Sequence, residues 1–155
     1  MQLTNDWREF LELLNSKKVE YLVVGAYAVA WHGRPRYTAD IDFLLRATPE
    51  NAALAVAVLN EFGLKSLGIE VGDLDQPGKV VQLGVPPNRI DLITSISGVE
   101  FDEAWRNRVP GDIDGVPVQY IGFDDLLRNK ESTGRGKDLG DAEYLRDLKA
   151  HRGNT

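Results

Sequence analysis

The sequence predicts an α/β (α+β) fold: a mixed β-sheet of about 4–6 strands flanked by helices, ending in a C-terminal helix pair. Three observations carry this expectation. Short β-rich apolar runs occur early and in the middle of the chain, at 21–24, 40–45, 80–83 and 89–93. Segments with helical apolar spacing frame them, at 7–14, 51–62 and 137–148. Gly, Pro and Asn punctuate the joins between the two kinds of segment.

Asp6 with Glu9 reads as a capping-box-like helix start, and Trp7, Phe10, Leu11 and Leu14 follow at helical spacing as far as Asn15-Ser16. Tyr21-Leu22-Val23-Val24 is a buried strand ended by Gly25, and 26–31 is a short helix. Gly33-Arg34-Pro35-Arg36 is a loop, and 40–45 is a second strand. Thr48 caps the next helix with Pro49 in its first turn, and Gly63 closes it. The stretch 64–78 carries no periodicity. Val80-Val81-Gln82-Leu83 and Arg89–Ile93 form a hairpin around Pro86-Pro87-Asn88. A further strand at 116–121 follows the Asp114-Gly115 turn, and helices are expected at 124–130 and 137–148. Leu139, Ala142, Leu145 and Leu148 define the inner side of the last helix.

The 155 residues fit one domain, 1–155, without repeat or linker. A domain near this size buries roughly 68–70% of its unfolded surface. No apolar run approaches the ~20 residues of a membrane span, and no basic start followed by an apolar stretch marks a signal peptide. Cysteine is absent, which removes disulfide frameworks and thiolate metal sites. The expectation is a cytoplasmic protein with no membrane partner; the oligomeric state is not legible. Net charge is −6, so affinity for nucleic acid has to come from local basic groups. Two clusters exist: Arg34 with Arg36, and Arg128, Lys130, Arg135 and Lys137.

Asp40-Ile41-Asp42 is the most informative tripeptide. On a strand, residues i and i+2 share a face, about 6–7 Å apart, so two carboxylates point one way while Ile41 and Phe43 point into the core. Like charges on one face of a buried strand repel, and burial disfavours both. A hard divalent cation removes the conflict. Asp91, inside Arg89-Ile90-Asp91-Leu92-Ile93, supplies a third carboxylate if the two strands are neighbours. Three converging acids suit a metal-assisted phosphoryl transfer. The competing reading is that Asp-x-Asp is common by chance and usually solvated.

Val23-Val24-Gly25-Ala26, a strand running into a tight turn and helix, precedes the Asp pair. Such turns offer backbone N–H groups to phosphate. The order Val24-Gly25-Ala26 … Asp40-Ile41-Asp42-Phe43 … Arg89-Ile90-Asp91-Leu92 resembles the polymerase-β-type nucleotidyltransferase superfamily. The stretches Gly25-Ala26-Tyr27-Ala28-Val29-Ala30, Gly33-Arg34-Pro35-Arg36-Tyr37-Thr38-Ala39-Asp40-Ile41-Asp42 and Lys130 … Gly134-Arg135-Gly136-Lys137-Asp138-Leu139-Gly140-Asp141 look much like its minimal abortive-infection and toxin–antitoxin members. The resemblance spans roughly residues 20 to 145. It implies an Mg²⁺-dependent enzyme, Mn²⁺ being the alternative ion, with Asp40, Asp42 and Asp91 as metal ligands and catalytic residues. It implies nucleotide contacts from Gly25, Ala26, Thr38, Arg36, Lys137 and Asp138. The acceptor stays open between an RNA 3′ end, a partner protein and a small alcohol, and a toxin–antitoxin role rests on the resemblance alone. One departure is Ala26, where the superfamily usually has Gly or Ser. Alanine lacks the hydroxyl and disfavours positive φ, and is harmless if only a small side chain is needed. The alternative it keeps open is a non-catalytic nucleotide sensor or antitoxin-type binding module.

Other residues weigh less. Gly134-Arg135-Gly136-Lys137 is not a P-loop, since Glu131 and Asp138 stand where Gly and Ser or Thr are required. Lys137 reads equally as a triphosphate contact or a solvated helix-end lysine, and Lys130 and Arg135 are weaker candidates. Arg34 and Arg36 contact phosphate or acceptor, or are solvated. Thr38 orients a carboxylate or phosphate, or only forms a turn. Tyr27 and Trp31, one helical turn apart, favour core packing over base stacking. His32 and His151 suggest neither zinc nor a Ser-His hydrolase. Asp73, Asp75, Asp102, Glu103, Asp112 and Asp114 read as solvated loop residues.

Overall fold

The computed structural model describes residues 4–34 and 37–153. Its strands are β1 (Tyr21–Val24), β2 (Asp40–Leu45), β3 (Val80–Leu83), β4 (Arg89–Ile93), β5 (Val109–Ile113) and β6 (Val116–Tyr120). Its helices are α1 (Asn5–Ser16), α2 (Gly25–Trp31), α3 (Pro49–Glu61), α4 (Phe101–Arg106), α5 (Phe123–Ser132) and α6 (Gly136–Gly153). The strands form one mixed sheet in the order β3-β4-β2-β1-β6-β5. The β2–β4 and β1–β6 pairs are parallel; the other three pairs are antiparallel. The mixed sheet, the flanking helices and the C-terminal helix pair agree with the sequence expectation. No helix among the described residues is long and apolar enough to cross a membrane.

Alternation on β2 sets the layers. Ile41 and Phe43, each 1% exposed, face the core, where Phe43 meets Phe10 of α1 (ring centroids 5.8 Å) and Tyr21 (5.4 Å). Phe10 in turn packs edge-on against Phe62 beyond α3, 5.3 Å away. Asp40 and Asp42 therefore point to the opposite face, the one that α1 leaves open.

Several elements differ from the sequence reading. Thr4, not Asp6, caps α1, its hydroxyl accepting from Trp7 N–H at 3.2 Å. The 64–78 stretch contains two 3₁₀ turns, Lys65–Leu67 and Val71–Asp73, the second closed by a Glu70–Asp73 capping box. α4 and β5 stand where no regular element was expected. β5 carries Pro110 and Gly111 but forms the sheet edge, where a missing ladder donor is tolerated. Asp112 thus lies on a strand, and its carboxylate accepts from Gly115 N–H at 3.0 Å. Asp114, read as solvated, pairs with Arg8 at 2.9 Å. On α6 the inner side is narrower than predicted: Ala142 and Leu145 are fully buried, whereas Leu139 is 42% exposed.

One buried amide ties the start of α3 to the sheet. Asn51 accepts from Glu20 N–H at 2.8 Å and donates to the carbonyls of Glu20 and Arg46, both at 3.0 Å. Asn51→Ala leaves all three backbone groups without this partner. We expect a loss of about 2–3 kcal/mol, seen as a lower urea midpoint at unchanged slope. A change below the error of the measurement would show that water replaces the amide.

Candidate active site

β2 and β4 lie side by side in parallel register, Asp42 beside Asp91 and Asp40 beside Arg89. The same i, i+2 alternation on both strands puts all four side chains on one face. Carboxylate oxygens of Asp40, Asp42 and Asp91 come within 4.8 Å of one another. Asp91 is 5% exposed. Asp42 Oδ1 and Asp91 Oδ1 are buried without a hydrogen-bond donor among the described residues. Burial first, then a hydrogen bond with Asp91 and the charges of Asp40 and Asp91, push the Asp42 carboxyl up to about 8; Arg89 opposes this. Three oxygen-bearing acids, two with orphaned buried atoms, fit a hard divalent cation.

Arg89 is the residue that sequence reasoning passed over. Its Nη2 donates to Asp40 Oδ2 at 2.6 Å and to Asp91 Oδ2 at 3.1 Å. Its Nε lies 3.0 Å from Asp91 Oδ1, close enough for charge attraction, yet neither atom makes a hydrogen bond. The signal was available: Arg89 precedes Asp91 by the same two residues that relate Asp40 to Asp42.

β1 leads into the site. Val24 pairs with Asp42, and Gly25 turns the chain into α2 with φ of 68°. Ala26 is already helical, and the only described non-glycine residues at positive φ are Lys18 and Asp114. The departure at Ala26 therefore imposes no backbone strain. An ideal Cβ on Gly25 would lie 2.2 Å from Asp42 Oδ2, so the bare backbone and the carboxylate are in close approach.

A cleft of about 390 Å³ joins these parts. Gly25, Ala26, Asp40, Asp42, Arg89 and Asp91 line it together with Lys130, Arg135, Lys137 and Asp138 from α5, α6 and their joint. It continues past Asp42 into a hollow of about 260 Å³ reaching Ser95, Ser97, Asn129 and Thr133.

The basic side of the cleft is ordered by a buried ion network. Lys130 Nζ contacts Asp138 at 2.9 Å and Asp141 at 3.4 Å. Asp138 also accepts from Thr133 at 2.9 Å and Arg135 at 2.7 Å. Burial works against the Asp138 charge, but Lys130, Thr133 and Arg135 outweigh it and hold the carboxyl below its usual range. Asp141, 1% exposed, also takes Arg34 at 3.1 Å. Lys137 is exposed and makes no ion pair among the described residues.

Of the residues singled out in the sequence, Gly25, Ala26, Asp40, Asp42, Asp91, Lys137 and Asp138 meet in this cleft. Thr38 stands beside it, its hydroxyl 2.8 Å from Asp40 O and 3.1 Å from Asp40 Oδ1. Arg36 lies outside the described residues. Arg128 turns away to Glu103, leaving the second basic cluster without its first member. Tyr27 is buried against Trp7, whereas Trp31, expected in the core, is 42% exposed and stacked on Tyr120 at 4.6 Å.

No protein-family model matches the chain, and no curated protein sequence does. Solved structures do. The crystal structure of ANT(2″)-Ia in complex with adenylyl-2″-tobramycin is similar with a TM-score of 0.59 at 15% identity, covering 94% of this chain and 89% of that one. The solution structure of the antibiotic-resistance factor ANT(2″)-Ia gives 0.53 at 16% identity, covering 96% and 91%. At such identities the likeness is one of fold alone: this chain has the fold of the ANT(2″)-Ia structures.

Proposed function

We propose that this protein is a divalent-metal-dependent nucleotidyltransferase that moves a nucleoside monophosphate from an NTP to an acceptor hydroxyl. The observation that carries the reading is the convergence of Asp40, Asp42 and Asp91 within 4.8 Å, beside a bare glycine turn and a basic wall.

Asp40, Asp42 and Asp91 would hold Mg²⁺, or Mn²⁺ in its stead. Bound there, the ion supplies charge neutralisation at the reacting phosphate and a more acidic acceptor hydroxyl. The chain's own groups do the rest. Amides of the Gly25-Ala26 turn and the cations Lys137 and Arg135 receive the β- and γ-phosphates. Asp138, fixed by Lys130, keeps Arg135 and the start of α6 aimed at them. Thr38 steadies Asp40. The acceptor oxygen forms a bond to the α-phosphorus, the bond to the β-phosphate oxygen breaks, and pyrophosphate leaves. Asp91 takes the acceptor proton, which leaves to solvent through the open cleft that it lines. Catalysis is then mainly positioning and electrostatics.

The donor reading gains support from ANT(2″)-Ia, whose structure holds an adenylylated small molecule. The same comparison favours testing small alcohols as acceptors. The sequence resemblance to toxin–antitoxin nucleotidyltransferases favours an RNA 3′ end or a partner protein. Since Ala26 is helical, the positive-φ objection to it falls away, and the missing hydroxyl is what remains to favour a non-catalytic module.

The test supplies each NTP labelled at the α-phosphate, with Mg²⁺, to total RNA, to protein extract and to a panel of amino sugars. Label should enter one of the three fractions, and EDTA should abolish this. Absence of transfer, together with absence of Mg²⁺-dependent nucleotide binding, would refute the assignment.

A further inference from the structure

The geometry points to Arg89 as a resident cation that competes with the metal for the acidic triad and yields to it only when nucleotide phosphates take up its charge. This deepens the reading above and rests on it. Arg89 spans two of the three carboxylates, reaching Asp40 and Asp91 from its place on β4. It partly offsets the repulsion that three acids would otherwise suffer. Its seat is nevertheless poor. Arg89 Nε and Asp91 Oδ1 are buried and unsatisfied 3.0 Å apart, and Asp42 Oδ1 receives nothing. A guanidinium here cannot serve all three acids.

A divalent ion on the same oxygens would stand within a few ångströms of the guanidinium, and like charges that close repel strongly. Arg89 has somewhere to go: it lines the same cleft as Lys130, Arg135 and Lys137, and its side chain is 28% exposed. A planar fork of N–H donors matches phosphate oxygens as well as it matches carboxylates. Metal alone must therefore displace Arg89 into solvent, whereas metal with nucleotide gives Arg89 a new anion. Metal and nucleotide bind as one unit, and the free protein resists filling its site with metal alone.

The experiment measures Mn²⁺ binding through the paramagnetic signal of the free ion, with and without α,β-methylene-ATP, which cannot be transferred. It uses wild type, Arg89→Gln and Arg89→Lys. Without nucleotide, Arg89→Gln should bind Mn²⁺ roughly tenfold tighter or more, and adding nucleotide should tighten its binding far less than in wild type. Arg89→Lys, whose shorter, compact head cannot span both carboxylates, should fall between the two. It decides the matter alone if Arg89→Gln does not fold. Nucleotide-free affinity in the variants equal to or weaker than wild type would overturn the role of Arg89. No Mn²⁺ binding by any of the three proteins, with or without nucleotide, would overturn the metal site itself.

Discussion

Asp42→Asn should abolish nucleotidyl transfer while making the ligand-free protein more stable. The two effects share one cause. Asp42 sits where burial and neighbouring acids penalise its charge, which pushes its carboxyl up to about 8 from the ordinary 3.8. A raised folded-state value means that the folded protein keeps a proton that the unfolded chain has lost. That proton's contribution to stability is complete below the unfolded value. It fades as pH rises, and is gone above the folded value. Wild type without metal should therefore lose stability between about pH 4 and pH 8. Asparagine, neutral and able to donate towards Asp91, should flatten that fall. Near neutral pH the gain should be of the order of 2–4 kcal/mol, less whatever a freed Arg89 gives back, and visible as a higher Tm. Transfer should drop by about 10³-fold or more, since a neutral amide cannot neutralise a divalent ion. Melting curves across pH, with and without Mg²⁺ and NTP, check both halves. A variant that is more stable yet still melts higher with Mg²⁺-NTP, as wild type would, contradicts the assignment of Asp42 to the metal.

The parts of this molecule legible in its sequence are those whose physics is local. Strand alternation told Asp40 and Asp42 apart from Ile41 and Phe43, and helix caps such as Thr48 and Gly63 stood at their places. The convergence of Asp91 on the pair needed one long-range fact, the β2–β4 pairing, which the sequence posed only as a condition. What stayed hidden depends on tertiary context. β5 contains Pro110 and Gly111, which argue against a strand except at an edge, and edges are known only once the sheet is assembled. α4 is too short to establish helical spacing. Lys130 reads in the sequence only as a weaker candidate for a triphosphate contact, yet it is buried between Asp138 and Asp141, partners eight and eleven positions on, across the α5–α6 joint. Arg89 was missed for another reason. Its i, i+2 relation to Asp91 is legible in the sequence, but that it also reaches Asp40 follows only from the β2–β4 register.

Gly25→Ala should be the most damaging single methyl group in the chain. Two independent costs fall on it. The backbone there has φ of 68°, a left-handed conformation that costs an alanine roughly 1–2 kcal/mol. The added carbon would also lie 2.2 Å from Asp42 Oδ2, so the carboxylate or the turn must shift. Either shift moves the proposed metal ligand and the amides proposed to receive phosphate relative to each other, and a displacement of about 1 Å at a reacting centre costs on the order of 10²-fold in rate. Gly63→Ala separates the two costs. That glycine is also left-handed, at φ of 96°, but has nothing within 4 Å of the added carbon and sits at the far end of α3. It should lower Tm by the backbone cost alone while leaving transfer and Mg²⁺-dependent nucleotide binding intact. If both variants lose stability alike and both keep full activity, the turn does not hold the nucleotide. The close approach of Gly25 to Asp42 would then be a matter of packing alone. If only Gly25→Ala loses the nucleotide-induced rise in Tm, the glycine is required by what it leaves open rather than by the conformation it adopts.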